Sequence, residues 1–107
     1  MEDNQTISWI FLATAMASQV EPTDIAGISM LADGINHAVP TQKELQTSIR
    51  WLAANDLLVK TGGKYFLTDR GKEIFIAAKR KSNTVSQLWK DVEIAVLNYK
   101  YLQNPLR

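Results

Sequence analysis

The chain has no cysteine. That excludes disulfides, thiolate metal ligands and cysteine nucleophiles, and it fits a reducing compartment. Histidine occurs once, at His37, and with no cysteine or carboxylate cluster beside it, it anchors no recognisable metal site. Long apolar runs are missing too. The longest, "ISWIFLATAMA" at residues 7–17, is far shorter than the roughly 20 residues a bilayer-spanning helix needs. The residues before it, "MEDNQT", are acidic rather than basic, which argues against a signal peptide and for a cytoplasmic protein. The "TGGK" of residues 61–64 lacks the spacing of a phosphate-binding loop. Asp69 and Glu73 stand one helical turn apart, but Arg70 and Lys72 interleave with them. A solvated helix face accounts for that pattern better than an acid–base pair. These absences leave no catalytic or metal-binding residue to name and imply no cofactor, so the chain reads as a binding protein rather than an enzyme.

Positive charge is absent from the first 40 residues, which hold five acids and neither Lys nor Arg. Residues 41–107 hold twelve bases and six acids. The formal net charge of +1 therefore hides an acidic first part and a basic remainder. A basic half is compatible with a nucleic-acid footprint, and equally with charges spread unevenly over a neutral surface.

What is present is an ordinary globular mixture, 46% hydrophobic and 21% charged over 107 residues, which is the size of a single domain. The periodicity predicts five helices and one hairpin. The first helix covers 6–18 and is apolar on most sides. The second covers 24–36, with Thr23 as its cap and Ile25, Ile28, Leu31, Ala32 and Ile35 at helical spacing. Pro40 disfavours helix at Val39. A third helix then spans 41–55, opened by Thr41 and Glu44 at capping-box spacing. Its apolar side gathers Leu45, Ile49, Leu52 and Asp56. Its outward side gathers Lys43, Gln46, Thr47, Arg50 and Ala54, with Trp51 on the flank, better suited to packing than to base stacking.

Gly62-Gly63 permits the positive φ angles of a two-residue hairpin turn. The resulting register sets Leu58 against Leu67, Val59 against Phe66 and Lys60 against Tyr65. Leu58, Leu67 and Tyr65 share one face, and Val59 and Phe66 the other. Phe66 beside Val59 is then an apolar patch that either a partner or a terminal helix of the same chain covers. Thr68 caps a fourth helix at 69–81, which ends in "KRK", favourable at the negative end of the helix dipole. Thr84 and Gln87 offer a second capping box for a fifth helix at 85–102.

The run "PTQKELQTSIRWLAANDLLVKTGGKYFLTDRGKEIF" resembles a winged helix-turn-helix domain. The matching features are the capped helix with Leu45, Ile49 and Leu52, the step "NDLLVK" into a hairpin, and the "Y-x-L-T-x-x-G" formed by Tyr65, Leu67, Thr68 and Gly71. Many bacterial winged-helix regulators close the wing in this way. The resemblance implies a mainly α fold with a small β-hairpin wing, a winged-helix core at 24–81, and outer helices at 6–18 and 85–102. It also implies a DNA-binding transcriptional regulator, with helix 41–55 as the recognition helix and 57–68 as the wing. Lys43, Gln46, Thr47 and Arg50 would then face double-stranded DNA, Arg suited to guanine and Gln to adenine, with Lys60 and Lys64 on phosphate. Winged helices also serve as protein-docking modules without a DNA role, and that alternative stays open.

A homodimer is the remaining expectation. The fifth helix carries one apolar stripe, Val85, Leu88, Trp89, Val92, Val96 and Tyr99, that suffices to dock it on its own domain. Ile94, Leu97 and Tyr101 lie opposite. The first helix shows the same excess, with Trp9, Leu12 and Met16 largely apart from Ile7, Ile10 and Phe11. Helices apolar all round are buried all round, and a two-fold partner would cover Trp9, Leu12, Met16, Ile94, Leu97 and Tyr101.

Overall fold

Nine consecutive residues, Ile7 to Ala15, are buried in the interior of the molecule, and the rest of the fold is arranged around them. The computed structural model describes the backbone of residues 3–103 and the side chains of residues 3–99. Its elements, in chain order, are α1 (Asp3–Ala17), α2 (Ile25–Asn36), α3 (Gln42–Ala54), β1 (Leu58–Thr61), β2 (Lys64–Leu67), α4 (Asp69–Arg80) and α5 (Val85–Gln103). α1 is the axis of the domain. It packs against α2, α3 and α5, and more lightly against β2 and α4.

This central position explains why α1 is apolar on every side, and it corrects part of the dimer expectation. Trp9 and Leu12 are fully buried within the single chain and offer no surface to a partner. The Trp9 indole N–H donates to the Ala32 carbonyl of α2 at 2.9 Å. Its ring stands 6.2 Å from that of Trp89 on α5, tilted by 31°. Met16, half-buried, packs on the same core. Two hydroxyls inside α1 are satisfied by the helix itself: Ser8 Oγ donates to Gln5 O at 3.0 Å and Thr14 Oγ1 to Ile10 O at 2.8 Å.

α5 closes over α1 with Leu88, Val92 and Val96, all buried. The Trp89 indole donates to Ser8 Oγ at 3.2 Å and Gln5 O at 3.3 Å. Near the other end of α5, the Tyr99 hydroxyl donates to Asn55 O at 2.6 Å, tying α5 to the end of α3. Val85, expected in the docking stripe, is exposed instead. It is the first residue of α5, before the helix has come down onto the core. Ile94 and Leu97 are exposed at 53% and 44%. The side chain of Tyr101, placed with them in the dimer expectation, lies outside the described residues.

Candidate nucleic-acid interface

α3 is set by its two ends. At the start, Glu44 N–H donates to Thr41 Oγ1 at 3.0 Å and Thr41 N–H to Glu44 Oε1 at 2.9 Å, a complete capping box. At the finish, Asp56 N–H donates to Ala53 O at 3.3 Å and Leu57 N–H to Leu52 O at 2.9 Å. With Asp56 at φ 61°, this is a Schellman motif whose accompanying apolar pair is Leu52 and Leu57, both fully buried. Asp56 therefore stands past the helix in the left-handed region, and not on the apolar side of α3 as its spacing suggested.

Leu45, Ser48, Ile49 and Leu52 face the core. Lys43, Gln46, Thr47 and Arg50 are all exposed and form one stripe on the opposite side. Trp51, on the flank, is half-buried.

The Schellman turn delivers the chain directly into the hairpin. β1 and β2 pair with Leu58 opposite Leu67, Val59 opposite Phe66, Lys60 opposite Tyr65 and Thr61 opposite Lys64. Gly62 and Gly63 take φ values of 56° and 77°, as a two-residue turn of this hand requires. Leu58, Tyr65 and Leu67 are buried, and Val59 and Phe66 half-buried. Lys60 and Lys64 are exposed and flank the turn, but the pleat sends them to opposite faces: Lys60 shares the face of Leu58 and Lys64 that of Phe66. They straddle the tip and do not form one patch.

A single-residue bridge, which nothing in the sequence signals, adds to the edge of this small sheet. Thr23, between α1 and α2, pairs antiparallel with Tyr65. Thr23 N–H donates to Tyr65 O at 2.9 Å and Tyr65 N–H to Thr23 O at 2.7 Å. Thr23 thus lies on the side of β2 away from β1. Engaged there, Thr23 does not cap α2 as expected. Asp24 does, accepting from Gly27 N–H at 2.9 Å. His37 ends α2 in the left-handed region at φ 55°, and five residues, His37 to Thr41, separate α2 from α3.

A second acid beside the α3 stripe, in addition to Glu44, went unnoticed in the sequence. α1 and α3 lie with their N-termini at the same end, and Asp3 shares a cavity of about 220 Å³ with Lys43, Glu44, Thr47 and Ser48. Ser48 Oγ is buried and has no hydrogen-bond partner among the described residues. Alanine there removes an unpaired hydroxyl and improves helix propensity. Ser48→Ala is therefore expected to raise unfolding free energy by about 0.5–1.5 kcal/mol in urea denaturation, and a loss of similar size would reveal an undetected partner.

The chain matches no protein-family model, and neither a curated protein nor a solved structure is significantly similar to it.

Proposed function

We propose that this protein is a winged helix-turn-helix DNA-binding regulator that acts as a homodimer, with α3 as its recognition helix and β1–β2 as its wing. The observation that carries the reading is the outward stripe of α3. Lys43, Gln46, Thr47 and Arg50 are exposed on a helix whose other side is fixed in the core and whose ends are both capped. Two cations, an amide and a hydroxyl are the side chains that address phosphate and the edges of guanine and adenine. The element order supports the same reading. The chain runs three helices, two strands and a helix, with Thr23 bridging β2 from between the first two helices, an order compatible with a winged helix. Lys60 and Lys64 bracket the wing tip, where each can meet a phosphate from its own side.

A genomic-fragment binding selection at two salt concentrations tests the proposal. Fragments enriched at low salt and retained selectively at higher salt support a sequence-reading DNA protein. Failure to enrich any fragment at either salt refutes it.

The dimer now rests on α5 alone. Ile94 and Leu97, spaced i, i+3 on its outer side, are apolar and exposed. Pairing α5 with its copy would cover them in an isologous contact and would hold two α3 helices for half-sites about 34 Å apart. An Ile94→Glu/Leu97→Glu variant is expected to shift the mass by light scattering from about twice 12.0 kDa to 12.0 kDa without loss of helix content. A wild-type protein that is already 12.0 kDa at micromolar concentration refutes the dimer.

A further inference from the structure

The first turns of α1 and α3 border a cavity of about 220 Å³, lined in part by Asp3 and Ile7 from α1 and by Lys43, Glu44, Thr47 and Ser48 from α3. Its lining includes the one buried side-chain hydroxyl, among the described residues, that has no hydrogen-bond partner. Ser48 is 1% exposed. The other buried hydroxyls are satisfied: Ser8 Oγ donates to Gln5 O, Thr14 Oγ1 to Ile10 O and Thr23 Oγ1 to Asp24 O. A buried hydroxyl without a partner is costly, and one that lines a cavity can take its bond from whatever fills the cavity.

The charged groups around the cavity narrow the class of occupant. Asp3 and Glu44 supply two carboxylates and Lys43 one ammonium. Glu44 Oε1 already accepts from the Thr41 N–H at 2.9 Å, which leaves Oε2 for another donor. The Lys43 ammonium disfavours a metal ion, and no group of three or more metal-ligating side chains occurs among the described residues. An inorganic anion would face both carboxylates, and a wholly apolar molecule would strip water from all three charges. A small zwitterion meets both signs at once. Size agrees, since the cavity is smaller than the ~300–1,000 Å³ of sites for drug-sized ligands.

We propose that this cavity binds a single free α-amino acid with a small, uncharged side chain. Its ammonium would pair with Asp3 and the free oxygen of Glu44, and its carboxylate with Lys43 and the Ser48 hydroxyl. Its side chain would lie against Ile7 and the methyl group of Thr47. Occupancy has a consequence for α3. Lys43 and Thr47 belong to the outward stripe as well as to the cavity, so an amino acid held by Lys43 withdraws a cation from phosphate and weakens DNA binding. The site itself needs only the cavity, while this coupling rests on the DNA-binding reading.

The test is thermal unfolding of the full chain with each common amino acid in turn, followed by isothermal titration of those that shift the midpoint. The expected result is a raised midpoint and a single site for one or more small uncharged amino acids, as a ligand that prefers the folded state requires. Their N-acetyl and carboxamide forms, each lacking one charge, should bind at least tenfold more weakly. Ser48→Ala and Asp3→Asn, the latter at an exposed position, should each lower affinity at least fivefold while the chain stays folded. At saturation the amino acid should lower affinity for a selected DNA fragment at least threefold, and DNA should lower affinity for the amino acid by the same factor. No midpoint shift with any amino acid overturns the proposal and leaves water as the partner of Ser48. Equal binding of the blocked forms overturns it too, as does wild-type affinity in both variants. Amino-acid binding by a chain that selects no DNA upholds the site and refutes the DNA-binding reading, whereas unchanged DNA affinity at saturation overturns the coupling alone.

Discussion

A Lys43→Ala/Arg50→Ala variant is expected to bind its DNA roughly 30- to 1000-fold more weakly than wild type while folding normally. Arg50 lies at the C-terminal end of the α3 stripe, and Lys43 lies two turns nearer the helix start, on the same face. An arginine that reads a guanine edge is worth about 1–3 kcal/mol, and a lysine on phosphate contributes a smaller, sequence-independent amount. Together they give about 2–4 kcal/mol, which is the stated range. Neither side chain packs into the core, and alanine is the best helix former, so the unfolding midpoint should move little. Arg50→Ala alone should relax sequence preference, and Lys43→Ala alone should weaken all sequences alike. Competition binding against a scrambled fragment separates the two effects. Undiminished affinity in the double variant would remove α3 from the account.

The second large effect concerns Gly71 and stability. The first turn of α4 lies directly on the backbone that begins the hairpin. A Cβ at Gly71 would meet the Leu57 carbonyl oxygen at 2.3 Å, and Leu67 Cβ at 3.3 Å. That carbonyl already accepts from Thr68 N–H at 3.3 Å, and Gly71 N–H itself donates to Thr68 Oγ1 at 3.0 Å. No side-chain rotation relieves a clash between Cβ and backbone. Gly71→Ala must push α4 off the hairpin base, costing about 3 kcal/mol, at the upper end of ordinary overpacking. Urea denaturation should register this as a lower midpoint, and the wing should lose its fixed position against α3. A Gly71→Ala chain as stable as wild type would show that α4 and the hairpin are not in the contact described.

The same glycine shows what the sequence could and could not disclose. Tyr65, Leu67, Thr68 and Gly71 were legible as a pattern, but the reason for glycine, a backbone carbonyl 57 residues into the chain, exists only once the hairpin is folded. Hairpin register was legible because Gly62-Gly63 pins the turn and a period of two then assigns every face. The start of α3 was legible because Thr41 and Glu44 act on neighbouring backbone. Local rules failed where two local options competed. Thr23 and Asp24 can both cap a helix, and the pairing with Tyr65 takes Thr23 away. Gln87 has the spacing to close a capping box with Thr84, and Gln87 N–H does donate to Thr84 Oγ1 at 3.1 Å, but its side-chain amide donates to Asp91 at 3.0 Å instead.

The larger misreading concerned α1. Apolarity on every side correctly signalled burial, but periodicity cannot say whose side chains do the burying. Wrapping α2, α3 and α5 around one central helix covers Trp9 and Leu12 without a second chain. The α3 stripe was legible in full, since exposure followed from the helical period alone. The acidic neighbour Glu44 was legible too, but Asp3 was not, because Asp3 lines a cavity with Lys43 and Thr47 only once α1 packs on α3.

The central claim is that α3 and the wing bind the DNA backbone and its bases, and the salt dependence of affinity tests it most directly. Lys43, Arg50, Lys60 and Lys64 in two protomers would neutralise roughly six to eight phosphates, giving a slope of log K against log salt of about −5 to −7. Measured by fluorescence anisotropy on a selected fragment, wild type should show that slope, and the Lys43→Ala/Arg50→Ala dimer, which loses the Lys43 phosphate contact in each protomer, should show one shallower by roughly 2. A wild-type slope near zero, or the same slope in both proteins, would contradict the account.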